Sequence, residues 1–337
     1  MREARRLIWP IAALGALLVV NAIFSRSFFQ LSIANGHVHG SMIDVLDRGA
    51  PVMLLALGMS LVIATGGIDL SVGAVMAIAG AVAASLIARP IDSPVAIINA
   101  HGSIAVIIMI SLAAALLAGL WNGALVVLLG LQPIVATLIL MVAGRGIAQL
   151  LTDGQIVTFD NARFAALGRA VLFGLPFPVT IVAAAAILIS LVARWTALGL
   201  FIESVGNNPT ASRLAGIPAV RVKLLVYTIG GLCAGLAGLI ITADLQAADA
   251  NNSGLNLELD AILAVSLGGA SLAGGRFSLV GALIGAILLQ TLTTTIFSDN
   301  VAPPLTLVVK GALVVAVCVL QSPRFRGMFL RGRKGAA

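Results

Sequence analysis

The sequence predicts an all-α polytopic membrane protein, one transmembrane domain over residues 1–337, and three observations predict it. Apolar residues make up 60% of the chain and charged residues 10%, with a mean hydropathy of +1.11, far outside the soluble globular range. The apolar residues gather into ten stretches, most of them near the ~20 residues that cross a bilayer. The charges are sorted by position. Basic residues cluster before the first stretch (Arg2, Arg5, Arg6), between the sixth and seventh (Arg194, Arg213, Arg221, Lys223) and after the tenth (Arg324, Arg326, Arg331, Arg333, Lys334). Acids such as Asp44, Asp92, Asp153, Asp160, Asp249 and Asp299 occupy the other set of loops. Lys and Arg that flank a span are held on the cytoplasmic side. Both termini and the 194–223 loop are therefore expected in the cytoplasm, which requires an even number of spans. Arg26, Arg48, Arg89, Arg163 and Arg169 run against this pattern, in longer loops or beside an acid, where the rule is weak.

The first stretch, 7–24, imitates a secretory signal ending at Val20-Asn21-Ala22. Because the rest of the chain is also apolar, it reads as a retained helix. The stretches that follow are 50–65, 70–88, 104–130, 134–151, 178–193, 224–243, 259–272, 279–297 and 304–320. Two are short: 50–65 would be only about 24 Å long as a helix, below the ~30 Å hydrocarbon thickness, and 259–272 is shorter still. Each runs into a glycine-rich break, Gly66-Gly67-Ile68-Asp69-Leu70-Ser71 and Gly268-Gly269-Ala270-Ser271 followed by Gly274-Gly275-Arg276. Short, interrupted helices at matching places in two halves point to a transport path between inverted repeats. The repeats would cover about 50–151 and 224–320, joined through the 194–223 loop. Thirty-six glycines fit close helix packing in lipid, where small residues let backbones approach.

Two places carry the functional expectation. In the 194–223 loop, Asn208-Pro209-Thr210-Ala211-Ser212-Arg213-Leu214-Ala215-Gly216 contains a complete short helix. Asn208 suits the cap, Pro209 the first helical position, and Gly216 the left-handed residue after the end. About two turns of helix are not stable alone, so this one docks, either on the protein's own surface or in a partner's cleft. In the first break, Asp69 is an ionisable group within an apolar run. It reads as a cap for the helix that follows, as a polar wall of a translocation path, or as a proton relay. Gly66, Gly67, Asn122 and Thr137 are the other candidates for that path; Asn122, Thr137, Arg145 and Gln149 all suit hydrogen bonds between helices, with pore lining as the alternative.

Other classes are excluded by what the chain carries. The basic residues sit at span ends rather than on one face among aromatics, so no nucleic acid is expected. Cys233 and Cys318 fall in apolar stretches, without metal-ligand spacing. His37, His39 and His101 form no catalytic pattern, and no phosphate loop of the Gly-x-x-x-x-Gly-Lys-Ser/Thr type occurs. The chain is expected to need no cofactor and to hold no ATPase site of its own.

From about Asp44 to Gln321 the sequence resembles the permease subunits of bacterial monosaccharide ABC importers, the ribose, xylose and galactose type. The resemblance rests on Thr65-Gly66-Gly67-Ile68-Asp69-Leu70-Ser71-Val72-Gly73, on the stretch from Val205-Gly206-Asn207 through Ala215-Gly216-Ile217, and on Glu258-Leu259-Asp260-Ala261-Ile262 leading into Leu267-Gly268-Gly269-Ala270-Ser271-Leu272-Ala273-Gly274-Gly275-Arg276. Met141 to Gly146, Gly154 to Phe159, Ala248 to Asn252 and Phe277 after Arg276 are similar to the galactofuranose branch. The resemblance implies a type II importer fold of about ten helices in the bacterial inner membrane. It also implies a second permease subunit, identical or related, and ABC ATPase subunits engaged by a coupling helix at Asn208, Pro209, Ala211, Arg213, Leu214 and Gly216. A periplasmic sugar-binding protein would deliver a monosaccharide, galactofuranose above other pentoses or hexoses such as ribose. An ion-coupled secondary transporter is the rival expectation.

Overall fold

A computed structural model describes residues 2–24, 26–30, 32–34, 37–88, 103–172, 174–298, 308–312 and 315. Twelve helices follow one another: α1 Arg2–Phe24, α2 Ser41–Ala64, α3 Val72–Ala88, α4 Ile104–Val127, α5 Pro133–Leu151, α6 Ala162–Arg169, α7 Phe177–Trp195, α8 Leu198–Asn207, α9 Pro209–Leu214, α10 Ala219–Leu245, α11 Leu257–Leu267 and α12 Leu279–Ser298. Three two-stranded antiparallel pairs close loops: β1 (Ser32–Ala34) on β2 (His37–His39), β3 (Val157–Thr158) on β6 (Ala247–Ala248), and β4 (Val171–Leu172) on β5 (Leu175–Pro176). Among the described residues, six helices are long and apolar enough to cross a membrane: α2, α4, α5, α7, α10 and α12.

Each of the first nine apolar stretches coincides with a helix. The tenth, 304–320, lies largely outside the described residues, although 308–312 are helical. Cys318, His101 and the C-terminal basic cluster also lie outside them. One expectation is corrected. The helix containing 50–65 is not short: α2 runs for 24 residues, about 36 Å, because it begins at Ser41 and carries Asp44, Asp47 and Arg48 in its first turns. The end of an apolar run is the end of what lipid can cover, not the end of the hydrogen-bonded helix. In the second half the expectation stands, since α11 has only 11 residues and stops at Gly268-Gly269.

The core is organised around α2 and α10. Residues Gly49 to Ala64 of α2 are buried without exception, so the helix is apolar all round and enclosed by protein. α10 packs against α2, α3 and α4 along a seam of small residues. A β-carbon on Gly231 would lie 2.9 Å from Gly119 Cα, and one on Gly58 would lie 2.9 Å from Gly230 Cα. Backbones this close leave room for glycine alone, which is how helices gain packing contact where lipid supplies no hydrophobic drive. α1 joins at the edge, where the buried Asn21 Nδ2 donates to Thr295 Oγ1 of α12 at 2.9 Å.

Candidate functional site

The short helix α9 forms as its sequence dictates. Asn208 Oδ1 accepts from the Ala211 amide at 3.0 Å, which satisfies one of the orphan N–H groups at the N-terminus. Pro209 occupies the first turn. Gly216 has φ +81°, a conformation that costs glycine nothing and most residues about 1–2 kcal/mol. Ser212 is the inward residue of the helix, buried, while Ala211, Arg213 and Leu214 point away from the protein. Leu214 is 87% exposed, an apolar side chain next to the exposed Arg213. Of the two docking possibilities, the helix therefore touches its own protein through Ser212 and leaves its other face uncovered.

α9 is carried by α8, whose C-terminus is fastened to the glycine breaks of both halves. The Gly275 amide donates to the Ala64 carbonyl at the end of α2 at 2.8 Å. A β-carbon on Gly206 would strike that same carbonyl, and one on Gly275 would lie 3.0 Å from Asn207 Oδ1. Three segments distant in sequence thus meet backbone to backbone: the end of α2, the end of α8 and the loop before α12. The resemblance blocks contain these residues, but nothing in residue type or spacing announces the junction. Its signal is glycine at the sites of approach, and glycine alone has many readings.

The first break is a packed polar knot. Asp69 Oδ1 accepts from the Ser71 amide at 2.9 Å and from Ser71 Oγ at 2.7 Å, an Asx turn onto the residue that precedes α3. Asn122 of α4 joins through Nδ2, 2.6 Å from Ser71 Oγ and 3.3 Å from Asp69 Oδ1. Thr137 of α5 donates to the Ile68 carbonyl at 3.3 Å. Asp69, Ser71, Asn122 and Thr137 are all buried. Gly67 lies against the Tyr227 hydroxyl, which has no hydrogen-bond partner among the described residues, and Gly66 has φ +79° in the turn that closes α2. The structure thus brings every candidate path residue together in one buried set, with Asp69 bonded to the residue before α3 rather than to amides of its first turn.

At the opposite end of α5 a second polar set ties down the loop before α11. Arg145 Nη1 donates to the carbonyls of Ala250 at 3.0 Å and Ser253 at 2.6 Å, and Gln149 Nε2 donates to Asn251 Oδ1 at 2.7 Å. The side chain of Asn252, and then its amide and that of Asn251, hold the Asp249 carboxyl below its ordinary value. Both α5 residues thus make the interelement hydrogen bonds expected of them, to a loop rather than to another helix.

Comparison with known proteins decides the family. Residues 41–318 match the family model described as "Branched-chain amino acid transport system / permease component". The chain belongs to this permease family. Its members are transporter components, so the chain is a multi-pass membrane protein and not an enzyme. It is 49% identical to the galactofuranose transporter permease YtfT of Escherichia coli (strain K12), over 95% of this chain and 92% of that protein. It is also 38% identical to the fructose import permease FruF of Bifidobacterium longum, over 96% and 89% of the two chains. With the ribose import permease RbsC of Escherichia coli (strain K12) it shares 36% identity over 91% of each. No solved structure matches the chain.

Proposed function

We propose that this chain is the permease subunit of an ATP-driven importer in the bacterial inner membrane, moving a monosaccharide from a periplasmic binding protein to the cytoplasm. Galactofuranose is the leading sugar, because the 49% identity to a galactofuranose permease extends over 95% of this chain, above that to fructose and ribose permeases. In this reading the chain crosses the membrane ten times with both termini in the cytoplasm. It pairs with a second permease subunit, identical or related, and its halves at about 50–151 and 224–320 rock against each other.

The observation that carries the ATP-driven part is α9. An exposed Leu214 beside Arg213, on a helix too short to stand alone, is what a partner's cleft would grip. The Gly206–Ala64–Gly275 junction lies directly behind it. A push on α9 then reaches α2 and the α11–α12 loop without a flexible link in between. Asp69, Asn122, Thr137, Gly66 and Gly67 would form one wall of the path, opened when the junction moves.

In proteoliposomes containing ATPase subunits and binding protein, Leu214→Asp or Arg213→Glu is expected to abolish ATP-dependent sugar uptake while the permease remains in the membrane. Uptake at the wild-type rate would remove the coupling assignment. Uptake that collapses with an uncoupler while ATP stays high would favour the ion-coupled alternative.

A further inference from the structure

The structure has a cavity with polar groups set in a largely apolar lining at the end of the bundle away from α9. It measures about 320 Å³, within the roughly 300–1,000 Å³ of small-molecule sites. Six helices meet there: α2 with Asp47 and Arg48, α6 with Gly168, α7 with Pro178, the end of α10 with Asp244, the start of α11 with Asp260, and the second half of α12 with Gln290 and Thr293. Lys310, from the helical residues 308–312, closes one side. Asp47 lies 17 residues before Ala64, about 26 Å along α2 from the junction behind α9.

The hydrogen-bonding state of the lining determines what it would take. Lys310 Nζ and Asp260 Oδ2 pair at 2.9 Å, both little exposed. Arg169 binds Asp244 through its carboxylate at 3.5 Å and through its backbone carbonyl. Asp47 and Gln290, both half-buried, have no hydrogen bond or ion pair among the described residues. Their oxygens are therefore free to accept hydrogen bonds from a ligand that displaces water. Among the described residues, no three His, Cys, Asp or Glu side chains are placed to hold a metal ion. A neutral ligand with several hydroxyls fits instead: its O–H groups donate to Asp47 and the Gln290 carbonyl. Its C–H face meets the apolar wall of Pro51, Ile240 and Leu257. With Arg48 also in the lining, and with Asp260 and Asp244 paired to Lys310 and Arg169, three acids meet three bases, which favours a neutral ligand over an ionised one. The larger cleft, about 490 Å³ among α2, α7, α8 and α10, is lined by residues such as Leu61, Leu188, Leu232 and Leu236 and offers no such groups.

We infer that this cavity is a monosaccharide-binding site on the permease itself, where sugar leaving the binding protein is first held. The inference rests on the proposed function, which supplies the cargo, and it adds that the permease takes part in choosing that cargo.

The test uses the purified permease–ATPase complex without binding protein, with methyl galactofuranoside as probe and saturation-transfer NMR as readout. Wild type is expected to bind the probe and to ignore L-leucine at the same concentration. Gln290→Leu and the isosteric Asp47→Asn are expected to weaken binding about 10-fold or more, the effect of losing a hydrogen bond to a charged or buried polar group. If Gln290→Leu fails to fold, Asp47→Asn carries the test alone. Undiminished binding in the folded variants overturns the site, as does absence of binding by a wild type that imports sugar with its binding protein present. Lost uptake with probe binding retained also overturns it, placing these residues on the binding protein's docking surface. A wild type that imports no sugar in the complete system overturns the proposed function instead.

Discussion

Asp69 shows how one residue type acquires a definite role from its neighbours. A carboxylate in an apolar setting is tolerated only when its oxygens are occupied, and here Oδ1 receives the Ser71 amide, the Ser71 hydroxyl and the Asn122 amide. Asp69→Ala removes that acceptor and leaves three donors behind. Unsatisfied buried donors at about 1–3 kcal/mol each make it one of the costlier single changes in this region. Asp69→Asn keeps an acceptor in place and is expected to be milder by most of that amount. Thermal unfolding of the detergent-solubilised protein would check this: the alanine variant should unfold well below the asparagine variant, and equal melting would refute the acceptor role. A buried polar group at this place was legible from sequence, since an acid in a glycine break before an apolar helix reads as a cap, a path wall or a relay. That Asn122 and Thr137 complete it was not. They lie 53 and 68 residues further on, and only packing of α4 and α5 against α3 brings them in.

At the scale of elements, glycine decides which helices touch. The α10 seam places Gly231 against Gly119 and the Ala115 carbonyl. A valine at Gly231 would force α4 and α10 apart along their whole contact, at the 1–3 kcal/mol or more typical of overpacking. Gly146 of α5 has open space where a β-carbon would go, so Gly146→Ala removes only helix-weakening flexibility and is expected to be neutral or mildly stabilising. Folded yield in detergent separates the two, with Gly231→Val low and Gly146→Ala at least wild type. Thirty-six glycines in the sequence announce close packing somewhere, but not which are seam and which are lipid-facing, because both kinds sit in equally apolar surroundings. The same limit applies to helix ends. The apolar run placed the start of α2 at residue 50 when the helix starts at Ser41. The cap and stop signals of α9, being local chemistry, located that helix to within a residue or two.

For the whole molecule, the central question is whether a force applied at α9 reaches the transport path as one rigid displacement. The chain of contact is short: α9 on α8, the α8 end on the Ala64 carbonyl, Gly275 hydrogen-bonded to that same carbonyl, and from Ala64 directly into the Asp69 break. Gly206→Ala inserts a methyl group where the Ala64 carbonyl stands, so α8 must lift from α2 while α9 and its exposed Arg213 and Leu214 are untouched. Such a variant is expected to recruit ATPase subunits normally and to hydrolyse ATP, yet to import sugar at a small fraction of the wild-type rate. Leu214→Asp, by contrast, is expected to lose ATPase recruitment itself. Measuring co-purification of the ATPase, ATP hydrolysis and uptake on both variants distinguishes a broken grip from a broken lever. If Gly206→Ala imports at the wild-type rate, the junction is packing only and the force takes another route. The direction of that force has its own check, since Thr210 is exposed on α9. A cysteine there is expected to react with an impermeant thiol reagent in inverted membrane vesicles and to be protected in intact cells. Reaction in intact cells would put α9 on the side where there is no ATPase to push it.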